Sequence, residues 1–425
     1  MNYIEQPLKK IAMSRKTLVV GLVLFGIALS SDNRIWGQHL ATFRLEIGTS
    51  VPDESPVFFD VPENLSSIQE LRLATRDRSI PVQWFNREKR QAVFLLPALP
   101  INDLKQSFHL EKEPASAGTD ANDSTAVRLQ TAPDSGDLKV AIDGKPVLGY
   151  ASSIHQPGEG IEAFYARSGH IYPLMTPNGK VITSEFPKGH VHQHSIFNAW
   201  VNTTFQGHAV DFWNQQNRTG NVEHVRVLRT SSGKVFAEFV VEQRHLDLTN
   251  PATPVPVLQE VWAVRVWNRK DGYLFDIESR QTCVAESPLT INEYNYGCMG
   301  FRGNDQWLGQ VGSDFLTSEG KTRIDGNHSR PNWTIAHGTV DNGPCYVAIM
   351  GYPSNFRHPE PVRLHPNMPY FVYSPPVLGA FELAPGKEHV ARYRFYIADG
   401  KPDRDKVQAV WQALSAPIKV VYESK

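Results

Sequence analysis

"VLQEVWAVRVWN", residues 257–268, alternates with a period of two. Val257, Gln259, Val261, Ala263, Arg265 and Trp267 fall on one side, and Leu258, Glu260, Trp262, Val264 and Val266 on the other. The stretch is rich in β-branched and aromatic residues and contains neither Gly nor Pro. It therefore reads as one long strand with two different faces. Similar runs surround it: "VEHVRVLRT" (222–230), "KVFAEFVVEQRHL" (234–246), "YLFDIESRQTCVA" (273–285) and "HVARYRFYIADG" (389–400). Earlier, "LKVAIDGKPVLGY" (138–150) carries a Asp-Gly hairpin turn. Long strands at regular intervals predict an all-β protein built as a large antiparallel sandwich. One helix is expected near the C-terminus, where "KPDRDKVQAVWQALSAP" (401–417) spaces Val407, Val410, Trp411 and Leu414 by three and four.

The sandwich is expected to span residues 127–425. A small β-sandwich-like accessory module precedes it at 39–112, with short runs such as "ATFRLEIG", "IPVQWFN" and "QAVFLLPAL". Between them "EPASAGTDANDSTA" (113–126) is small and polar, as a linker is. The first 38 residues read as an export signal. Lys9, Lys10, Arg15 and Lys16 precede the apolar "TLVVGLVLFGIALS" (17–30), which is shorter than the roughly 20 residues of a bilayer span. A periplasmic or secreted location follows, with no membrane span once the signal is removed. The net charge is −1, and no basic arm or stripe is present, so nucleic acid is not an expected partner. Cys283, Cys298 and Cys345 have no Cys-x-x-Cys spacing and read as structural thiols. No Gly-x-Ser-x-Gly elbow, P-loop or His-Glu-x-x-His is present.

The chemistry concentrates in "KGHVHQHSIFNAW" (188–200). In an extended strand His190, His192 and His194 share one face at about 6–7 Å spacing. Imidazoles titrate near neutrality and serve as acid and base, so all three are candidate catalytic groups. A metal is the alternative. The outer pair would be about 13 Å apart, so a divalent cation at His190 and His192 needs a third ligand such as His208. Otherwise no cofactor is expected. "VDFWNQQNRTGNVEH" (210–224) adds Asp211, to orient a histidine or bind hydroxyls, Trp213, to stack on a sugar ring, and His224. Arg167, Tyr296, Arg302 and Asn355 lie in polar, Gly-rich stretches and are candidate substrate-binding residues. The plain alternative is a wet strand edge, a buried Trp and loop-bracing arginines.

Three blocks together resemble a known family: "ARSGHIYPLMTPNGKVITSEFPKGHVHQHSIFNAW" (166–200), "VDFWNQQNRTGNVEH" and "GYPSNFRHPEPVRL" (351–364). They look like the corresponding blocks of the bacterial PmoA-like proteins, whose family name carries the words methane oxygenase. Many members read His-Pro-His-His-Arg-Gly where this chain reads His190-Val191-His192-Gln193-His194-Ser195. The motif matches at His190 and His192; Gln193 and His194 depart from it. The resemblance implies a galactose-mutarotase-like supersandwich, whose concave sheet holds a sugar while histidine and carboxylate move protons. The expected function is thus acid/base chemistry on a sugar or glycan, by epimerisation, elimination or hydrolysis. A non-catalytic glycan-binding protein and a His-ligated metalloenzyme or oxygenase are the rival readings.

Overall fold

A computed structural model describes residues 38–47, 54–76, 78–97, 104–113 and 126–423. The expected export signal and all but the ends of the expected linker lie outside the described residues. None of the described helices is long and apolar enough to cross a membrane.

The quoted alternation is expressed directly. Val255–Trp267 is a strand in which Leu258, Glu260, Trp262, Val264 and Val266 are all buried, while Gln259, Val261, Ala263 and Arg265 are half-buried. It sits third in an antiparallel eight-stranded sheet, ordered Gly220–Ser231, Phe236–Asp247, Val255–Trp267, Tyr273–Cys283, Glu388–Asp399, Gly343–Gly351, Trp333–Val340 and Asp314–Thr317. A second eight-stranded sheet has shorter strands. Its order is Val362–Leu364, Tyr370–Tyr373, Cys298–Arg302, Ile196–Ala199, Ile171–Leu174, Lys145–Tyr150, Leu138–Ile142 and Val127–Thr131. One apolar core joins the two, with Trp262, Val264 and Phe275 from the first and Phe197, Phe301 and Phe371 from the second. The mostly β, antiparallel sandwich architecture is therefore as the sequence predicts.

Polar groups also cross this core. Glu260 is fully buried and accepts hydrogen bonds from Asn198 Nδ2 (2.7 Å), Ser279 Oγ (2.5 Å), Trp262 Nε1 (2.5 Å) and His245 Nε2 (2.7 Å). These contacts outweigh the cost of burial and hold the carboxyl below its ordinary range. Asn198 belongs to the short-strand sheet, so its bond to Glu260 ties the two sheets together. Trp200 Nε1 donates across the same gap to Gln281 Oε1 at 2.8 Å.

The outer face of the long sheet is covered as well. The helix Arg404–Ser415 is capped by Asp403, whose side chain accepts from Lys406 N at 2.9 Å. Val407, Val410 and Leu414 pack with Trp267, Trp333 and Tyr346. The N-terminal module forms two small sheets around Phe43, Val57, Phe94 and Phe108. Its Gln83 plugs into the long sheet: Oε1 accepts from Val235 N and Phe236 N, both at 3.1 Å. One assignment changes. The last strand, Lys419–Tyr422, was expected with the large domain at 127–425 but pairs antiparallel with His39–Glu46 of the module. The helix shares an apolar cluster with Phe58, Phe85 and Val93 of the module, so the chain that follows it runs beside the module. The three cysteines are buried free thiols, as the spacing implied.

Asn355 does not reach toward a ligand. Its Nδ2 donates to Glu360 Oε2 and Arg392 O, and its Oδ1 accepts from Arg392 N, all at 2.8 Å. It braces the loop that carries Glu360 rather than holding substrate. Burial pushes the Glu360 carboxyl up to about 7, against the hydrogen bonds from Asn355 and Tyr393. The folded state therefore keeps this proton longer than the unfolded chain does. The stability this provides is complete below about pH 4.5 and is lost as pH rises to about 7, by up to about 3 kcal/mol. Glu360→Gln is expected to flatten the fall in unfolding free energy between pH 5 and 8. Denaturant unfolding at several pH values checks this; a slope equal to wild type contradicts it.

Candidate functional site

The histidine segment is a turn, and not the strand face that its alternation suggested. Phe186, Gly189 and Ser195 take φ values of 50°, 81° and 54°, and His190 N and Gln193 N donate to Pro187 O (3.1 Å) and His190 O (2.9 Å). Pro187 and Gly189 bend the chain before the alternation can act as a strand. The three rings consequently part company. His190 and His192 stay together half-buried, with ring centroids 5.9 Å apart. His190 also faces His365 at 6.3 Å. His194 turns inward, fully buried, against Phe186 (4.9 Å) and His170 (5.2 Å).

His194 has a defined tautomer. Gln215 Nε2 donates to Ala166 O (3.3 Å) and Phe164 O (3.4 Å), so its Oε1 must accept from His194 Nε2 at 2.9 Å. Nδ1 of His194 is left as the lone-pair nitrogen, without a protein partner. Burial holds His194 well below the ordinary imidazole range. Burial, aided by His190, Arg167 and Arg302, lowers His192 to about 4. Burial, helped by Arg363 and His190, also lowers His365 to about 4. These rings are neutral at pH 7.

A chain of alternating carboxylates and imidazoles adjoins them. His155 Nε2 donates to Asp137 Oδ2 at 3.0 Å and His155 Nδ1 to Glu185 Oε1 at 2.7 Å; His170 Nε2 bonds the same Glu185 oxygen. Asp137 is fixed in turn by Ser153 N and Oγ, both at 2.9 Å. The bond to Glu185 is the main cause that raises His155 to about 9, against its burial. Glu185 is brought down to about 2, its burial outweighed by the two imidazoles. Fully buried His170 is lowered by desolvation. The sequence reading missed Asp137, His155, Glu185, Gln215 and His365. One signal was available: Glu185 is the only carboxylate between residues 163 and 210, the stretch that holds the histidine cluster.

The remaining candidates divide. Arg167 and Arg302 do enter this neighbourhood, both fully buried. Arg302 Nη2 donates to Asp305 Oδ1 at 2.5 Å, and Arg167 Nη1 to Phe212 O at 3.4 Å; their other nitrogens lack protein partners. Desolvation lowers Arg167 to about 10. Neither guanidinium is exposed, so they shape the potential at the histidines rather than forming an open cradle. Trp213 is no open stacking platform, for it is fully buried against Phe197 (4.2 Å), Tyr296 (5.7 Å) and Tyr370 (6.0 Å). A Cβ on Gly300 would lie 2.6 Å from its ring, so the indole fills space that a glycine leaves open. Tyr296 is half-buried over that indole, its hydroxyl pushed up to about 12 by burial. His224, on the long sheet, has Nδ1 3.0 Å from the hydroxyl of Tyr150 in the short-strand sheet and braces it. His208 pairs with Asp247 at 2.7 Å and does not join His190 and His192 in a metal-binding group.

Asp211 is not free for catalysis either. Its Oδ1 accepts from Trp213 N (2.9 Å) and Asn214 N (2.8 Å), and its Oδ2 from Asn214 Nδ2 and Asn217 Nδ2, both at 2.8 Å. It builds the turn that carries Trp213 and Gln215. A large groove of about 1130 Å³ lies elsewhere, between the module and the long sheet, lined by residues such as Phe58, Phe85, Arg265 and Arg392. Its arginines are paired, Arg265 with Glu238 and Arg392 with Glu278. The convergent titratable groups favour the histidine site over this groove. Asp211→Ala is expected to cost about 1–3 kcal/mol of stability by orphaning its donors. Denaturant unfolding measures it, and an unchanged midpoint contradicts the structural role.

No curated protein matches this chain. Among solved structures it is similar to the heparan sulfate lyase HepC from Pedobacter heparinus, at 12% identity and a TM-score of 0.32, over 63% of this chain and 34% of that one. It is also similar to a galactose mutarotase related enzyme from Lactobacillus acidophilus, at 11% identity and a TM-score of 0.29, over 64% and 97% of the two chains. The chain thus spans about a third of the length of the first of these. A family model does match most of the sandwich. Through residues 137–412, which hold the whole histidine site, the chain belongs to the family of unknown function DUF6807.

Proposed function

We propose that this is an exported carbohydrate-active protein that carries out proton transfer on a sugar or glycan at the histidine site. The observation that supports it most is two adjoining groups of imidazoles, six of the chain's 15 histidines: His155 and His170 bonded to ionised Glu185 with His194 against His170, and His190 against His192 and His365. A structural core has no need of so many imidazoles. Half-exposed His192 is neutral at working pH and offers a nitrogen to accept a proton or a hydroxyl hydrogen bond. A neutral imidazole that can take up a proton is a requirement that epimerisation, elimination and hydrolysis of sugars share. The resemblance of the histidine block to PmoA-like proteins would point the same way, but the family that matches is DUF6807. The non-catalytic alternative would use the same groups only for binding.

The test is a screen of the purified protein against plant and algal glycans, with His192→Ala alongside. A product is expected with the wild type, at a rate about 10²–10⁴ above the variant, while the variant's unfolding midpoint stays unchanged. Binding without product leaves the glycan-binding alternative. If no glycan is bound or converted, the carbohydrate reading fails.

A further inference from the structure

We propose that His155 Nδ1, His170 Nε2 and a Glu185 carboxylate oxygen form a binding site for one divalent transition-metal cation. The three ligand atoms lie within 4.8 Å of one another, and no other such group occurs among the described residues. It is not the set the sequence suggested, since His190, His192 and His208 take no part. Two imidazoles and one carboxylate form a borderline donor set that suits Zn²⁺ and its neighbours better than Ca²⁺ or Mg²⁺.

A second feature points to a ligand independently of that convergence. Metal-bound imidazoles characteristically pass their remaining N–H to a carboxylate, which fixes the ring and its tautomer. His155 does this: Nε2 faces Asp137 Oδ2 at 3.0 Å, and Asp137 is itself held by Ser153 N and Oγ at 2.9 Å. The backbone fixes the frame from both sides. His155 forms an isolated bridge with Arg167, and Glu185 forms one with His194. His170 directly precedes the strand Ile171–Leu174. Its ring is fully buried, with Nε2 aimed at Glu185 and Nδ1 free of any protein partner. The site is not closed, because the His155 side chain is 21% exposed and Glu185 10%. A fourth coordination position therefore opens toward solvent, as in zinc sites with three protein ligands. This inference stands whether or not the substrate is a carbohydrate.

The full chain, stripped with EDTA and titrated with ZnCl₂ by calorimetry, tests it. One equivalent is expected to bind. Glu185→Gln, which preserves shape, is expected to weaken binding by about a hundredfold. Asp137→Asn, which among the three ligands touches only the second nitrogen of His155, is expected to weaken it by about ten- to a hundredfold. Co²⁺ in the same site should give visible absorption in the wild type and lose it in Glu185→Gln. His208→Ala is the control and should bind as wild type. Circular dichroism of each variant reports folding, so that loss of the site is separated from loss of the fold. No stoichiometric binding, or binding unchanged in both Glu185→Gln and Asp137→Asn, overturns the proposal.

Discussion

A carboxylate buried between two sheets is the constraint on which the rest of this molecule depends. Glu260 sits on the inward face of the strand Val255–Trp267, where burial without partners would be prohibitive. Four donors meet it, and one of them, Asn198, comes from the opposite sheet. Removing one partner from such a network typically costs about 1–3 kcal/mol, because a buried carboxylate is left short of a donor. The geometry that results is specific as well as stable. Leu258, Trp262 and Val264 would accept many sheet offsets, whereas a short hydrogen bond accepts very few.

That bond reaches the chemistry through the backbone. Asn198 lies on the strand Ile196–Ala199, which starts immediately after the histidine turn. Fixing this strand fixes the point at which the turn re-enters the sandwich, and Gln215 then holds His194 from the other side. Around this anchor the potential is graded. His155, between two carboxylates, keeps its charge to about pH 9, whereas His192, near Arg167 and Arg302, loses its charge near pH 4. Two identical side chains thus offer opposite chemistry, set by carboxylate partners at His155 and mainly by burial at His192.

Much of the scaffold was legible because it rests on local periodicity. The two-residue alternation of 257–267 and the three-and-four spacing of Val407, Val410 and Leu414 each survive in the structure. The neighbourhood of the site was legible too, since His192, Arg167 and Arg302 do converge. The details were not, for three physical reasons. Alternating histidines mimic a strand, but Pro187 and Gly189 turn the chain before it can extend. Trp213 and Asp211 suggested a sugar platform, but Phe197, Tyr296 and Tyr370 bury the indole and four donors occupy the carboxylate. His155, finally, arrives from a distant loop, and only the tertiary fold sets it beside Glu185.

The account turns on the coupling between Asn198 and Glu260 across the core. A double-mutant cycle of Asn198→Ala and Glu260→Gln, read as unfolding free energy, measures it directly. An interaction energy of about 1–3 kcal/mol is predicted for two groups bonded in a buried network. Effects that simply add, to within about 0.3 kcal/mol, would mean that the Asn198–Glu260 bond neither holds the two sheets in register nor anchors the strand after the histidine turn.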